Sequence, residues 1–279
     1  MSSSATAFVP GHITGFFGVK RTDEPLRTGS LGAGMTLSDG VTVRVVPEDS
    51  DDASTLELDG EVVSVDAVDR VCAALDVRAR IVAESVLPLG AGFGVSGALS
   101  LGTALAAASA LDLSLSENEL LRIAHGAEVR AGTGLGDAVA QARGGLPIRL
   151  DPGAPPHGKL DGIPTTERRI EYLTFGELST ETVLSGDTET LTAAGRRALS
   201  TIVADPTLPT LMYASRRFAR EADLLTPRVR KAIQAVGDEG GEASMAMLGN
   251  TVFALDEGLT DAGYDAASCT IDLGGATLR

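Results

Sequence analysis

The sequence predicts a mixed α/β fold divided into two domains. Short apolar runs typical of strands occur in both halves of the chain, and segments with helical signals lie between them. Residues 151–164 hold four prolines and three glycines, a composition typical of a linker. We therefore place an N-terminal domain at residues 1–155 and a C-terminal domain at residues 156–279, because 279 residues suffice for two modest cores.

Strand and hairpin signals open the N-terminal half. Thr6–Val9 and Val41–Val46 are rich in β-branched and apolar residues, which favours strands. The run Thr55–Val65 alternates around Asp59-Gly60, a dipeptide typical of a tight hairpin turn. The elements predicted next are a helix over Asp66–Leu75 and a strand over Ala79–Val86.

Helices dominate the middle of the chain. Leu99–Ala110 consists of small and apolar residues without proline, which predicts a helix that starts near Gly97. Ser116 and Glu119 have the spacing of a capping box, which predicts the start of a helix over Glu117–Ala127. A short helix from Asp137 to Arg143 and a strand over Leu146–Leu150 follow.

The C-terminal half is predicted to contain a strand, three helices and three further strands. The strands are Arg168–Phe175, Ser244–Leu248, Thr251–Leu255 and Ala267–Ile271, and the helices lie around 190–203, 208–224 and 227–236. We find no internal repeat and no low-complexity tail in the sequence.

The charge balance excludes one class of partner. The chain has 23 Lys and Arg against 38 Asp and Glu, a formal net charge of −15. A nucleic-acid-binding protein would need a basic surface instead. Lysine occurs only at positions 20, 159 and 231, so most of the cationic residues are arginines. A salt-rich cytoplasm or a high-GC genome would explain this arginine bias and the acidic excess. We favour salt adaptation, and expect any anionic substrate to need a local basic pocket.

Few features bear on the compartment. The N-terminus, Met-Ser-Ser-Ser-Ala-Thr, lacks the basic region and apolar core of a signal peptide. The longest stretch of low charge, Ala98–Ala110, is too short to span a bilayer. Cys72 and Cys269 match no metal or redox spacing and are interpreted as free thiols. We expect a cytoplasmic protein.

The most informative segment is the loop Pro88-Leu-Gly-Ala-Gly-Phe-Gly-Val-Ser-Gly-Ala98, between a predicted strand and a predicted helix. Its four glycines remove side chains from the turn, so several backbone N–H groups can approach an anion. The helix that follows adds its unpaired amides and its positive dipole end. This predicts a phosphate cradle for a nucleotide, with contacts from Pro88, Gly90, Gly92, Phe93, Gly94, Val95, Ser96, Gly97 and Ala98.

Two standard nucleotide motifs do not describe this loop. Gly92, Gly94 and Gly97 satisfy G-x-G-x-x-G, but no strand ending in an acid follows about 20 residues later, as a dinucleotide fold requires. A Walker A loop needs a lysine directly after its glycines, and none is present there. A glycine turn that only permits tight packing of helix on sheet is the remaining alternative.

Three residues beyond the loop carry candidate chemistry. Asp137 follows a glycine-rich turn at a predicted helix start, where a carboxylate is stabilised, although an ordinary helix cap would look the same. Glu128 offers oxygen ligands suited to Mg²⁺ beside phosphates, or is a solvated surface acid. His125, three residues earlier on the same helix face, is either functional or a core histidine. Three histidines and two distant cysteines argue against a zinc site.

The order of these motifs resembles that of the GHMP kinases. The loop at 88–98 resembles the family signature P-x-x-x-G-L-G-S-S-A, and Val9-Pro-Gly-His12 resembles the first family motif. The series Glu128, Gly136-Asp137 and Gly144-Gly145 resembles the segment that supplies a magnesium-binding Glu and a basic Asp in that family.

One motif departs from the family pattern. Ala243–Phe253 occupies the place of the usually glycine-rich third motif. Together with Val9–Phe17, this variant most resembles the archaeal pantoate kinases. The resemblance covers nearly the whole chain. It implies an N-terminal domain similar to ribosomal protein S5 domain 2 and a ferredoxin-like C-terminal domain.

The resemblance also implies ligands and roles. ATP would bind at the loop, Ser96 and Glu128 would hold Mg²⁺, and Asp137 would orient and deprotonate the primary hydroxyl of pantoate. A planar guanidinium suits the substrate carboxylate, so Arg149 is our first candidate and His125 the second, although Arg149 could equally be a solvated strand-end cation. The remaining substrate contacts implied are His12, Ser30 and Thr180.

Other functions stay open at this point. The loop and the fold do not fix the substrate, so another GHMP kinase acting on mevalonate, homoserine or shikimate is an alternative. A nucleotide-binding regulator without chemistry is another, although such a protein would need no base at Asp137. A homodimer is among the assemblies considered.

Overall fold

The computed structural model of the protein describes residues 4–49, 52–176 and 188–279, which form two β-sheets with flanking helices. The strands are β1 (Ala5–Lys20), β2 (Gly29–Pro47), β3 (Thr55–Leu58), β4 (Glu61–Val63), β5 (Ala79–Ser85), β6 (Leu146–Asp151), β7 (Lys159–Ile163), β8 (Arg169–Thr174), β9 (Ala243–Ala246), β10 (Thr251–Leu255), β11 (Ala267–Thr270) and β12 (Thr277–Leu278). The helices are α1 (Asp66–Leu75), α2 (Val95–Ala110), α3 (Glu117–Ala131), α4 (Asp137–Arg143), α5 (Glu189–Ala204), α6 (Leu208–Glu221), α7 (Pro227–Asp238) and α8 (Gly258–Asp261).

Strands β1 and β2 are far longer than the sequence predicted. Thr6–Val9 covers only the start of β1, and Val41–Val46 only the end of β2. The two strands pair antiparallel along nearly their whole length, with irregularities after Pro10 and Thr14. Glycines, a proline and these bulges interrupt the alternation on which the prediction relied. As a result, His12 lies inside a buried strand of the larger sheet rather than in a loop.

Helix α2 packs on β1 and β2 and is flanked by α1 and α3. Nearly all of its residues are buried, which their small side chains allow. A Cβ added at Gly102 would lie 2.6 Å from Cγ2 of Val43, so the helix approaches the sheet as closely as glycine permits. The helix begins at Val95, two residues before the predicted start at Gly97. Its N-terminus is therefore fixed directly behind the glycine loop.

The predicted capping box is present at the start of α3. The backbone N–H of Ser116 donates to Glu119 Oε2 (2.8 Å), and that of Glu119 donates to Ser116 Oγ (3.4 Å). The helix continues past the predicted end at Ala127 to Ala131 and is capped by Gly132, whose φ is 74°. Glu128 is therefore held in regular helix, not at a frayed end.

The larger sheet has the strand order β12-β1-β2-β5-β3-β4, with β6 paired to β2 and β7 to β6. Strand β7 lies beyond the domain boundary placed between residues 155 and 156, and the chain passes to the smaller sheet between Ile163 and Arg169. The smaller sheet has the order β11-β8-β10-β9. The chain then returns to the larger sheet, where β12 pairs with β1.

Both cysteines are free, as predicted, and the structure shows that both are buried. Burial raises the pKa of both thiols, to about 12 for Cys269. Within residues 4–49, 52–176 and 188–279, no helix has the length and apolarity needed to cross a membrane.

Candidate active site

A cavity of about 480 Å³ opens where the glycine loop, the start of α4 and the larger sheet meet. The larger sheet contributes Thr14 from β1, Ser30 from β2 and Arg149 from β6. The turn between β9 and β10 contributes Met247 and Leu248. Residues from segments that are far apart in the sequence therefore face one space.

The glycine loop has the backbone conformation that its sequence suggested. Gly90, Gly92 and Gly94 have φ values of 78°, 89° and 66°, in the left-handed region that favours glycine. The predicted nucleotide contacts that line the cavity are Gly90, Gly92, Phe93, Gly94, Val95 and Ser96. Pro88, Gly97 and Ala98 do not line it. Gly97 instead faces α4, because a Cβ there would lie 3.1 Å from Cβ of Asp137.

Glu128 is a buried carboxylate that three hydroxyl groups surround. Its Oε1 accepts hydrogen bonds from Ser96 (2.7 Å), Ser100 (3.0 Å) and Thr133 (3.0 Å). Burial raises the pKa of Glu128, and the hydroxyl donors oppose that rise. The surface-acid alternative is therefore wrong, since only 3% of the residue is exposed.

The second oxygen of Glu128 meets the requirements of a metal ligand. No donor within the described ranges bonds to Oε2, which lies over Gly134 where a Cβ would overlap it. Carboxylate and hydroxyl oxygens are the donors that Mg²⁺ prefers, and Mg²⁺ usually takes its other ligands from phosphates and water. No group of three or more His, Cys, Asp or Glu that could hold a metal occurs in the described part of the chain. The donor set of Ser96 and Glu128 thus suits a cation shared with a phosphorylated ligand.

Asp137 is the first residue of α4 and is bonded to His12. His12 Nδ1 lies 2.7 Å from Asp137 Oδ1, and the side chain of Asp137 is 26% exposed while that of His12 is fully buried. Burial alone would raise the pKa of Asp137, but the hydrogen bond and charge interactions with His12 and the charge of Arg149 lower it below its ordinary value. Burial lowers the pKa of His12. At neutral pH the pair is therefore a carboxylate that accepts from a neutral imidazole.

Arg149 is a buried cation with one unused donor group. Only 3% of the residue is exposed, so the solvated strand-end alternative is wrong. Its Nε donates to the backbone carbonyl of Ser30 (3.3 Å), while the buried terminal nitrogen Nη1 has no hydrogen-bond partner among the described residues. Gly136 makes room for this side chain, because a Cβ there would lie 2.8 Å from Nε of Arg149. A buried guanidinium with a free donor that lines a cavity is suited to an anionic ligand.

The remaining predicted substrate residues have different positions. His125 is buried and does not line the cavity, and its Nε2–H donates to the backbone carbonyl of Thr28 (2.9 Å). This is the core histidine that the sequence left as an alternative. His12 does not line the cavity either and contacts Asp137 instead. Ser30 lines the cavity, whereas Thr180 lies outside the described residues.

Sequence reasoning missed part of the cavity wall. Thr14 and Phe17 follow the first motif on β1, and Ser64–Asp66 lie at the start of α1. Met247 and Leu248 belong to the variant third motif, whose departure from the glycine-rich pattern was the available signal. Leu248 has a φ of 65°, which marks this turn as unusual for a non-glycine residue.

Comparison with known proteins gives consistent matches. Residues 62–145 match the family model described as the GHMP kinases N terminal domain. The chain is 37% identical over 258 residues to the pantoate kinase of Methanospirillum hungatei, with 90% of this chain and 86% of the relative covered. It is 33% identical to the pantoate kinases of Thermococcus kodakarensis (89% and 86% covered) and Methanocaldococcus jannaschii (90% and 92% covered).

Solved structures share the fold over the whole chain. A protein described as a phosphotransferase related to the CoA biosynthesis pathway superposes with a TM-score of 0.89 at 28% identity, with 99% of each chain covered. The homoserine kinase of Cytophaga hutchinsonii (TM-score 0.68, 18% identity) and the mevalonate diphosphate decarboxylase of Staphylococcus aureus (0.74, 16%) each cover 100% of this chain over 98% of their own. The predicted two-domain mixed α/β fold is thereby confirmed.

Proposed function

This chain belongs to the pantoate kinases, a family of the GHMP kinases, and on that premise we propose that it transfers the γ-phosphoryl group of ATP to the primary hydroxyl of (R)-pantoate, which yields 4-phosphopantoate for coenzyme A biosynthesis. One observation carries the proposal. A single cavity is lined by a glycine loop with bare amides, by the Asp137 carboxylate and by the Arg149 guanidinium with a free donor. An anionic alcohol and a nucleotide need these three groups together.

The nucleotide phosphates lie at the loop in this proposal. The first amides of α2 and the loop backbone neutralise their charge, in the absence of a Walker lysine. Ser96 and Glu128 would hold Mg²⁺, which supplies charge neutralisation to the phosphates when bound. We place the nucleoside in the same cavity beside Ser64–Asp66, which also line it.

Asp137 positions the attacking hydroxyl. Its lowered pKa keeps it ionised, so it can accept a hydrogen bond from the substrate alcohol. Because His12 occupies Oδ1, the substrate hydroxyl is left with Oδ2. An alcohol is a weak acid, so its proton leaves late and orientation is the larger part of the role.

Arg149 binds the pantoate carboxylate. Arg149 lines the same cavity as the loop, and the free terminal nitrogen of its guanidinium suits a charge-assisted hydrogen bond to a carboxylate. Ser30 and Thr180 are proposed as hydroxyl partners of the same substrate. His125 and His12 support the site from behind its wall rather than by direct contact.

A coupled ADP-release assay tests the function. Purified protein with ATP and Mg²⁺ is offered pantoate, mevalonate, homoserine and shikimate at equal concentrations. We expect ADP release with pantoate at least about 100-fold above the other alcohols in kcat/KM, because binding of the carboxylate and orientation of the hydroxyl act together. Release with another alcohol would reassign the substrate, and ATP binding without release would indicate a regulator.

We also propose a salt-adapted archaeal origin, a cytoplasmic location and a homodimer. The net charge of −15 supports salt adaptation, since screening reduces self-repulsion among acidic groups. The same assay at low and high potassium chloride tests salt adaptation, and light scattering, which gives the mass, tests the homodimer. Activity that falls as potassium chloride rises, or a monomer mass, would contradict them.

A further inference from the structure

Three carbonyl groups of the glycine loop are each held by a donor from a different element. Thr251 Oγ1 on β10 donates to the carbonyl of Ala91 (2.8 Å). The backbone N–H of His12 on β1 donates to the carbonyl of Phe93 (2.9 Å). Gln141 Nε2 on α4 donates to the carbonyl of Gly94 (2.9 Å), which also accepts from a backbone N–H in α2.

These contacts fix the direction of the amides that follow. In a trans peptide the C=O and the next N–H point in opposite directions. A carbonyl held against the protein therefore directs the following N–H outward, and the amides concerned belong to Gly92, Gly94 and Val95. All three residues line the cavity, and within the described ranges none of these N–H groups donates a hydrogen bond.

Two of the three donors are polar side chains that lie in the core. Thr251 and Gln141 are fully buried. A carbonyl can only accept, so the amide of Gln141 must turn its nitrogen toward Gly94. Its Oε1 is then buried near Gly97, with no partner among the residues described. A buried polar atom without a partner destabilises the fold, so stability alone does not explain this choice of residue.

We propose that Thr251 and Gln141 are positioning residues that set the phosphate-binding amides of the loop, by holding the carbonyls of Ala91 and Gly94. The inference rests on the proposed function in one respect, that the ligand at the loop is a nucleoside triphosphate. The amides are then oriented before the phosphates arrive, and no reorganisation is needed on binding. The smaller sheet and the helix that carries Asp137 thus both determine the geometry of the loop.

Calorimetric titration with Mg²⁺ and adenylyl imidodiphosphate, without pantoate, tests this. Thr251→Val and Gln141→Met keep the volume and remove the donor, and we expect each to raise the Kd about tenfold. Thr251→Ser keeps the hydroxyl and should stay within about twofold of the parent. Thr103→Val is the matched control, because Thr103 is buried on α2 and its hydroxyl bonds to none of the described residues.

The outcomes separate this inference from the proposed function. Thermal unfolding verifies that each variant is folded, and Thr251→Ala replaces Thr251→Val if the methyl group prevents folding. If Thr251→Val and Gln141→Met bind the analogue as tightly as the parent, the inference is wrong. It is also wrong if Thr103→Val binds the analogue as weakly as those two variants. A parent that binds the analogue but phosphorylates no alcohol overturns the proposed function alone. A parent that does not bind the analogue overturns both.

Discussion

His12 and Asp137 form a hydrogen bond of 2.7 Å although 125 residues separate them in sequence. The imidazole is fully buried, and its Nε2 has no hydrogen-bond partner in the part of the chain that the structure describes. This nitrogen lies close to Gly34, where a Cβ would be 2.6 Å away. Protonation would place a second N–H where nothing accepts it. The Asp137 carboxylate therefore accepts a hydrogen bond from an imidazole that resists charging, and this contact holds Asp137 in one orientation.

The first prediction concerns acid stability. Folding lowers the pKa of His12 below 6.5, so below that pH the unfolded chain binds more protons than the folded one. The contribution of His12 to the free energy of unfolding has its full value above about pH 6.5. It is lost as the pH falls toward the lower pKa of the folded state. Folding also lowers the pKa of Asp137 from 3.8, so this group adds a second loss of stability only below that pH.

Urea titrations measure this effect. We expect the free energy of unfolding to fall between about pH 7 and about pH 5 in the parent and to fall less in His12→Asn, which keeps a donor and does not titrate. His125 contributes equally in both proteins, so the difference isolates His12. Parallel curves would contradict the prediction.

The second prediction concerns Asp137→Asn. An amide can still accept from His12 but cannot take the proton of an alcohol, so we expect turnover to fall roughly 100-fold or more. ATP affinity should stay near that of the parent, because the loop is untouched. Steady-state kinetics and calorimetry give the two quantities, and turnover near that of the parent would remove Asp137 from the mechanism.

The third prediction concerns Glu128→Gln. The amide oxygen can accept the same three hydroxyl donors, so the variant should fold. A neutral amide is a weak ligand for Mg²⁺, so the Mg²⁺ concentration for half-maximal rate should rise about tenfold and excess Mg²⁺ should partly restore the rate. Ser100→Ala, which removes one donor but no proposed ligand, is the control. An unchanged Mg²⁺ profile in Glu128→Gln would make the carboxylate purely structural.

Local signals in the sequence predicted several elements closely. The capping box at Ser116, the hairpin at Asp59-Gly60 and helix α1 all matched the structure. Each depends on a few neighbouring residues whose backbone preferences agree. The glycine loop was predictable for the same reason, since successive glycines allow the left-handed conformations observed at Gly92 and Gly94.

Contacts between distant segments were not predictable in this way. The resemblance assigned His12 to substrate, but its partner Asp137 lies on another element, and nothing local indicates that β1 carries it into the core. Likewise, no spacing rule shows that His125 would bond to the Thr28 carbonyl or that Met247 would reach the cavity. Such contacts depend on sheet register and helix packing, which one sequence does not determine.

The fourth prediction tests the contact between the loop and the variant third motif. A Cβ at Gly249 would overlap the Ala91 carbonyl, so Gly249→Ala should displace the loop and raise the KM for ATP about tenfold, with a smaller change for pantoate. Gly237→Ala is the matched control, because nothing lies within 4 Å of a Cβ there. Steady-state kinetics of the two variants decide the point, and a KM for ATP equal to that of the control would show that the loop tolerates the methyl group.

The last prediction concerns Arg149. Pantoate is an anion and the protein carries a net charge of −15, so a local cation must offset both repulsion and the loss of hydration of the substrate carboxylate. Arg149→Ala should therefore raise the KM for pantoate by about 100-fold and leave the KM for ATP within about threefold. Arg149→Lys should restore only part of the loss, because an ammonium group supplies charge without the planar fork.

Titrations of both substrates on both variants separate binding from folding. Arg122→Ala, at an exposed position on α3, is the control and should behave as the parent. Removal of Arg149 also deletes a donor to the Ser30 carbonyl, so a folding defect would lower the active fraction and kcat without changing either KM. A rise in KM confined to pantoate thus supports carboxylate binding by Arg149, whereas a lower kcat with both KM values unchanged would assign it to the fold alone.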